Sequence, residues 1–155
     1  MIFNRIYIMS EEINNSIENL PITQIVKVRD EALTFLCKMA NLDIGVGVTI
    51  LIKGTVLTGT LISGDKYFKV ITEKFKALGS GEVASLISNF FEDFGRETYS
   101  IVEGEIPPPT NFLHLADVEI VNGNGRMIGM SDGLLRLKIE EIDGSMIGQL
   151  KLQKQ

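Results

Sequence analysis

One cysteine, one histidine and a shortage of positive charge set the first limits on this 155-residue chain. With Cys37 alone, an intramolecular disulfide is impossible, and a reducing compartment is the default expectation. Cys37 falls on an apolar helical stripe, which reads as a buried structural thiol rather than a reactive one. Lys and Arg number 15 against 20 Asp and Glu, a net charge of -5. Non-specific nucleic-acid binding needs the opposite balance, because cations must displace counterions from phosphates. No stretch approaches the roughly 18 apolar residues of a membrane-spanning helix. Residues 1–21 lack a basic start, an apolar run of adequate length and a small-residue cleavage site. No secretory signal is therefore expected, and the chain reads as cytosolic.

Apolar residues, by contrast, are plentiful: 45% of the chain is hydrophobic and the mean hydropathy is +0.18. Either the core is unusually complete or a partner covers apolar surface, self-association being the commoner form of the second. This length supports one domain with a genuine core, expected over residues 23–155. Residues 1–22 form a leader whose Ile2, Phe3, Ile6, Tyr7 and Ile8 read as a short strand or as a segment docking on a neighbour.

The rest of the chain is organised around residues 46–68, VGVTILIKGTVLTGTLISGDKYF. Val48, Ile50 and Ile52 alternate with Gly47, Thr49 and Leu51, and after Lys53-Gly54 the period of two resumes through Val56, Thr58, Thr60 and Ile62. Two such runs around a glycine-containing break predict a β-hairpin. Apolar side chains on both faces place it in the middle of a curved sheet or small barrel, with Gly59 at a bulge or tight bend.

Before the hairpin, Leu33, Leu36, Cys37 and Ala40 recur at helical spacing over about 28–42. After it the period changes again, predicting a two-helix insertion over about 65–95. Asp65 is the expected N-cap of the first helix, with Tyr67, Phe68, Ile71, Phe75 and Leu78 on one stripe up to Gly79. Val83, Leu86, Ile87, Phe90, Phe91 and Phe94 share a face of the second, and Gly95 is its expected stop. Such a stripe reads as core, the sharper alternative being a partner-binding face. The three prolines at 107–109 read as a stiff connector. A strand follows over 112–121, in which Leu113 and Leu115 fall on one phase and Val118 and Ile120 on the other, so a bulge is expected near Ala116-Asp117. Shorter strands are expected at 126–129 and 135–140. An Asp143-Gly144 turn and a closing strand through Ile147, Leu150 and Leu152 complete the chain.

Chemistry-bearing constellations are sparse. His114 sits between Phe112 and Ala116 in its strand, and Asp117 points across the sheet from it, so His114 reads as structural. No His, Cys, Asp and Glu set has metal-ligand spacing, so no metal and no cofactor are expected. Gly79-Ser80-Gly81 precedes a helix but lacks the lysine of a phosphate loop. An enzyme is disfavoured.

The order of elements, a helix feeding a strongly bent hairpin and then further strands, resembles the Sm-like, SH3-type open barrel. A closer resemblance is to the gas vesicle accessory protein GvpU family. It is carried by Thr58-Gly59-Thr60-Leu61-Ile62-Ser63-Gly64 followed by Tyr67-Phe68, then by Phe112, His114-Leu115 and Asp117. Ile142-Asp143-Gly144 with Ile147-Gly148 completes the set, in the same order along the chain. The family's strand before the last turn is rich in Trp and Arg; here it is Leu134-Leu135-Arg136-Leu137-Lys138, and Arg136 alone remains. The motif positions are thus Gly59, Gly64, Tyr67, Phe68, His114, Asp117, Arg136, Asp143 and Gly144.

The expected fold is α+β: a small, strongly bent antiparallel barrel with an N-terminal helix and a two-helix insertion between its second and third strands. The resemblance implies a divergent, non-enzymatic accessory protein of gas vesicle assembly or clustering, in the cytoplasm and associated with gas vesicles. Its implied partners are further copies of itself and gas vesicle structural or accessory proteins. An oligomeric Sm-like nucleic-acid binder is the alternative.

Overall fold

Asp30 caps helix α1 (Glu31–Asn41). Its Oδ1 accepts the backbone N–H of Ala32 at 2.9 Å and of Leu33 at 3.1 Å, satisfying two of the donors that a helix start leaves free. The computed structural model describes residues 29–79, 81–101, 110–130 and 132–151; the expected leader, the proline connector and Leu152 lie outside them. Leu33, Cys37 and Ala40 line the buried face of α1. Desolvation pushes the Cys37 thiol up to about 12, which leaves it protonated and inert near neutrality.

Strands β1 (Val46–Ile52) and β2 (Thr55–Ile62) form the expected hairpin. Lys53 and Gly54 both take positive φ, 48° and 78°, in a two-residue turn whose twist matches that of its strands. Helices α2 (Gly64–Ala77) and α3 (Glu82–Tyr99) follow as an inserted hairpin. The chain then forms β3 (Phe112–Val121), β4 (Met127–Gly129), β5 (Leu135–Lys138), a single 3-10 turn (Ile139–Glu141) and β6 (Gly144–Ile147). The described residues thus give an α+β fold with one antiparallel sheet in the order β4-β3-β2-β1-β6, and β5 also paired to β3.

The barrel expected from the sequence does not close. No ladder joins β6 to β4 or β5 among the described residues. The edges are too short to wrap: β4 has three residues and β5 and β6 four each. The ten-residue β3 divides its outer edge between β5 at its start and β4 at its end. The break between the two halves is the expected bulge. Thr58 pairs with Glu119 and Thr60 with Ala116, so Gly59 alone opposes Asp117 and Val118. Asp117 takes a left-handed φ of 53° there. A Cβ on Gly59 would lie 2.9 Å from the Ala116 carbonyl oxygen, which explains a glycine opposite the bulge.

One face of the sheet holds the main core. Leu33, Cys37 and Ala40 pack on Val48, Ile50, Leu57, Leu61, Leu113, Leu115, Val118 and Ile139. Ile139 reaches that core because the last strand-like run stops at Lys138 and coils into the 3-10 turn, where its N–H bonds the Asn111 carbonyl at 3.1 Å. The sequence alternation alone extends the strand to 140. Threonines occupy part of the opposite face. Thr58 donates to the Val48 carbonyl and Thr49 to that of Gly148, each at 2.9 Å. Both hydroxyls accept the Leu150 N–H. Gly148 (φ 108°) turns the chain onto this face, so the closing strand ends at Ile147 instead of continuing through Leu150.

Two helix limits also differ from expectation. Ser63, not Asp65, caps α2, its Oγ accepting the Lys66 N–H at 3.2 Å. Gly95 does not stop α3, which runs four residues further to Tyr99.

Candidate functional site

Five of the nine motif positions converge where the helical hairpin meets the sheet. In the β3–β5 ladder His114 lies directly opposite Arg136, and opposite Ile62 in the β2–β3 ladder. Facing residues of a ladder share a side of the sheet, so His114 and Arg136 project together towards α2 and α3. Helix α2 meets them with Tyr67 and Phe68, adjacent residues whose rings are 5.1 Å apart and nearly perpendicular. Helix α3 contributes Phe94 and Tyr99.

Phe68 is the hub. Its buried ring meets Phe94 edge-on at 5.0 Å, stacks on Tyr99 at 5.6 Å and approaches His114 at 6.0 Å. The Arg136 guanidinium carbon lies 3.8 Å over the Phe112 ring and 5.5 Å from the Phe68 centroid. One guanidinium nitrogen donates to the Tyr99 hydroxyl at 3.3 Å. The cation is therefore held by π faces and a phenol, a combination that stabilises a partly desolvated guanidinium. Both glycines of the contact are there because the packing leaves no room. A Cβ on Gly64 would fall 2.2 Å from the Tyr99 ring, and one on Gly95 would fall 2.6 Å from the Phe68 Cβ.

His114 is 2% exposed, its Nε2 has no hydrogen-bond partner among the described residues, and it packs against the Tyr67 and Tyr99 rings. Burial, reinforced by the Arg136 charge, depresses its pKa from 6.5 to about 3. Burial also raises the Tyr67 phenol, with Arg136 opposing. His114 thus stays neutral in the folded chain while the unfolded chain takes up a proton below its ordinary value. The stability that this difference supplies is complete above pH 6.5 and is lost progressively down to about pH 3. Lowering the pH from about 7 to about 5 should cost about 2 kcal/mol through this residue. Urea unfolding at the two pH values checks it: the loss should shrink in His114→Gln. Equal losses in both proteins would show that His114 is not the source.

The other motif positions lie elsewhere. Gly59 and Asp117 form the bulge, with Asp117 exposed at the rim of an open polar groove beside Thr60, Glu119 and Gln149. Asp143 ties the last hairpin to the first: its carboxylate accepts the Lys53 N–H at 2.5 Å, and its own N–H donates to the Leu51 carbonyl. Gly144 begins β6 next to it. Tyr99 has no signal in the sequence reading, where Phe94 enters only on the helical stripe and Phe112 only among the residues that carry the resemblance. A glycine inside an amphipathic run, four residues before a tyrosine, was the available sign of close helix packing.

A second feature belongs to α3 alone. Its apolar stripe splits, with Phe91 and Phe94 turned towards Phe68 and Phe75. Val83, Leu86 and Phe90 stand 69%, 70% and 60% exposed, and Leu78, just before them, 77%. The expectation that the whole stripe is core therefore holds for only one side of it. Among the described residues no group of His, Cys, Asp and Glu could hold a metal ion, and no helix is long and apolar enough to cross a membrane.

A family model for gas vesicle protein GvpU-like sequences matches residues 30–150. The chain belongs to the GvpU-like family. No curated protein and no solved structure matches it. The GvpU-like match begins at the α1 cap, Asp30, and ends at Leu150 on the threonine face. It therefore takes in every element of the sheet, the inserted hairpin and all nine motif positions.

Proposed function

We propose that this GvpU-like chain is a non-enzymatic accessory protein of gas vesicle formation. It acts in the cytoplasm, in vesicle assembly or clustering, by protein–protein contact and self-association. Residues 23–155 act as one unit, and 1–22 as a leader available to a neighbour. Family membership supports the vesicle setting. The observation that carries the contact is the outward stripe of α3, where Val83, Leu86 and Phe90 stand one and two turns apart on one face. Large apolar side chains in a row on a helix are the anchors by which helices enter grooves of partner proteins. The partner of this stripe is a gas vesicle structural or accessory protein with an apolar groove. The Arg136 cluster serves the contact indirectly, by fixing the angle at which the hairpin leaves the sheet.

Co-sedimentation with purified gas vesicles tests the reading. The triple variant Val83→Ser, Leu86→Ser, Phe90→Ser should bind at least about 100-fold more weakly, since a few buried anchors carry most of an interface's energy. Its unfolding should stay close to that of the unmodified chain, because the three side chains are exposed. Undiminished co-sedimentation of the triple variant would remove α3 as the contact. The nucleic-acid alternative rests on fold analogy alone, and the net charge of -5 does not favour it.

A further inference from the structure

The outer edge of β6 pairs with no strand among the described residues. Its ladder with β1 fixes which backbone groups face outward. The Gly148 N–H bonds the Gly47 carbonyl at 2.7 Å, and the register then runs Val48 with Ile147, Thr49 with Met146 and Ile50 with Ser145. Antiparallel ladders alternate hydrogen-bonded and non-bonded pairs, so Met146 is satisfied by β1 while Ser145 and Ile147 aim their N–H and C=O groups away from the sheet. Natural edges are normally defended by a charge, a proline or a covering element. Gly144-Ser145-Met146-Ile147-Gly148-Gln149-Leu150 contains neither a charged residue nor a proline, and no strand covers this edge among the described residues. Met146 is exposed on one side of the edge, and Ile147 stands 76% exposed.

From this edge we infer that the chain dimerises through β6, pairing antiparallel with β6 of a second copy about a two-fold axis at Met146. The inference rests on the self-association proposed above and names its surface. The symmetry is what selects a second copy. A two-fold at Met146 places Ser145 opposite Ile147 of the copy, and Ile147 opposite its Ser145. Both pairs present their free groups inward, so four backbone hydrogen bonds form with no change of register. The two Met146 side chains meet directly in the non-bonded pair between them, where side chains are closest. The product is one continuous twelve-stranded sheet, with both α3 stripes left outside the joint.

The experiment is size-exclusion chromatography with light scattering on the full chain over a concentration series. The unmodified chain should run as a reversible dimer. Ile147→Pro removes an outward donor that makes no bond to β1, a position where an edge strand tolerates proline, and should weaken the dimer at least about 100-fold. Met146→Lys and Met146→Glu should each be monomeric when alone, because the two-fold sets like charges against each other. Mixed together, they should recover a dimer. That rescue does not depend on how well Ile147→Pro folds. A dimer that survives Met146→Lys, or a mixture that stays monomeric, overturns the inference. If Met146→Lys remains dimeric while the α3 triple variant is monomeric, self-association stands and β6 is the wrong surface. A chain that is monomeric throughout overturns both.

Discussion

Replacing Phe68 with alanine should lower the free energy of unfolding by about 4 kcal/mol, the usual cost of deleting a buried phenylalanine. Phe68 is 3% exposed and touches rings from α2, α3 and β3 as well as the guanidinium from β5. No neighbour can collapse into the space, because Gly95 already brings the α3 backbone against its Cβ. Phe90→Ala is the control on the same hairpin. With Phe90 60% exposed, that change should cost less than about 1 kcal/mol. Urea unfolding of the two variants gives the comparison. Similar losses at the two positions would mean that the hairpin is not held on the sheet through Phe68.

Gly64→Ala should cost about 3 kcal/mol, although by helix propensity alone it gains as much as about 1 kcal/mol. The two effects differ in sign, and packing decides. The added Cβ would lie 2.2 to 2.4 Å from three atoms of the Tyr99 ring. That ring cannot swing aside, since it stacks on Phe68, meets His114 edge-on and accepts the Arg136 hydrogen bond. Gly81→Ala provides the contrast, because a Cβ there meets nothing within 4 Å. Thermal unfolding of both should show a large fall in midpoint for Gly64→Ala and a small change for Gly81→Ala. A Gly64→Ala protein as stable as the parent would mean that the α2–α3 contact is loose.

Local signals in the sequence show most where the backbone itself sets the outcome, although the cap of α2 falls on Ser63 and not on Asp65. Between two runs of period two, Lys53-Gly54 reads as a turn because Gly54 takes a positive φ without steric cost. The phase change between Leu115 and Val118 likewise gives away the bulge, since a strand has only two faces on which to put apolar residues. Apart from that cap, the differences concern what lies across from a residue rather than beside it. Gly95 has the sequence character of a helix stop, yet it is a point where Phe68 presses on the helix, and nothing along the chain names Phe68 as the neighbour. The α3 stripe is broader than the surface available to bury it, so Val83, Leu86 and Phe90 remain outside. Barrel closure depends on the lengths of β4, β5 and β6, and alternation overstates those by failing to show where Ile139 and Gly148 leave the strand. Of the site, the motif residues were visible singly, but their meeting was not. His114 and Arg136 are 22 positions apart and face each other only once β5 has paired with β3.

Because Ile62 and His114 are direct partners in the β2–β3 ladder, the chain leaves the sheet for α2 and returns to it for β3 at almost one point, about 5 Å apart. In topology the two helices are therefore nothing more than an overgrown loop between neighbouring strands. An arm attached in this way can lengthen, shorten or be exchanged for another without rethreading the strands beneath it. Substitution on the outer face of the arm is then largely separate from selection on the platform that carries it, so the arm can diverge quickly while the platform stays the same.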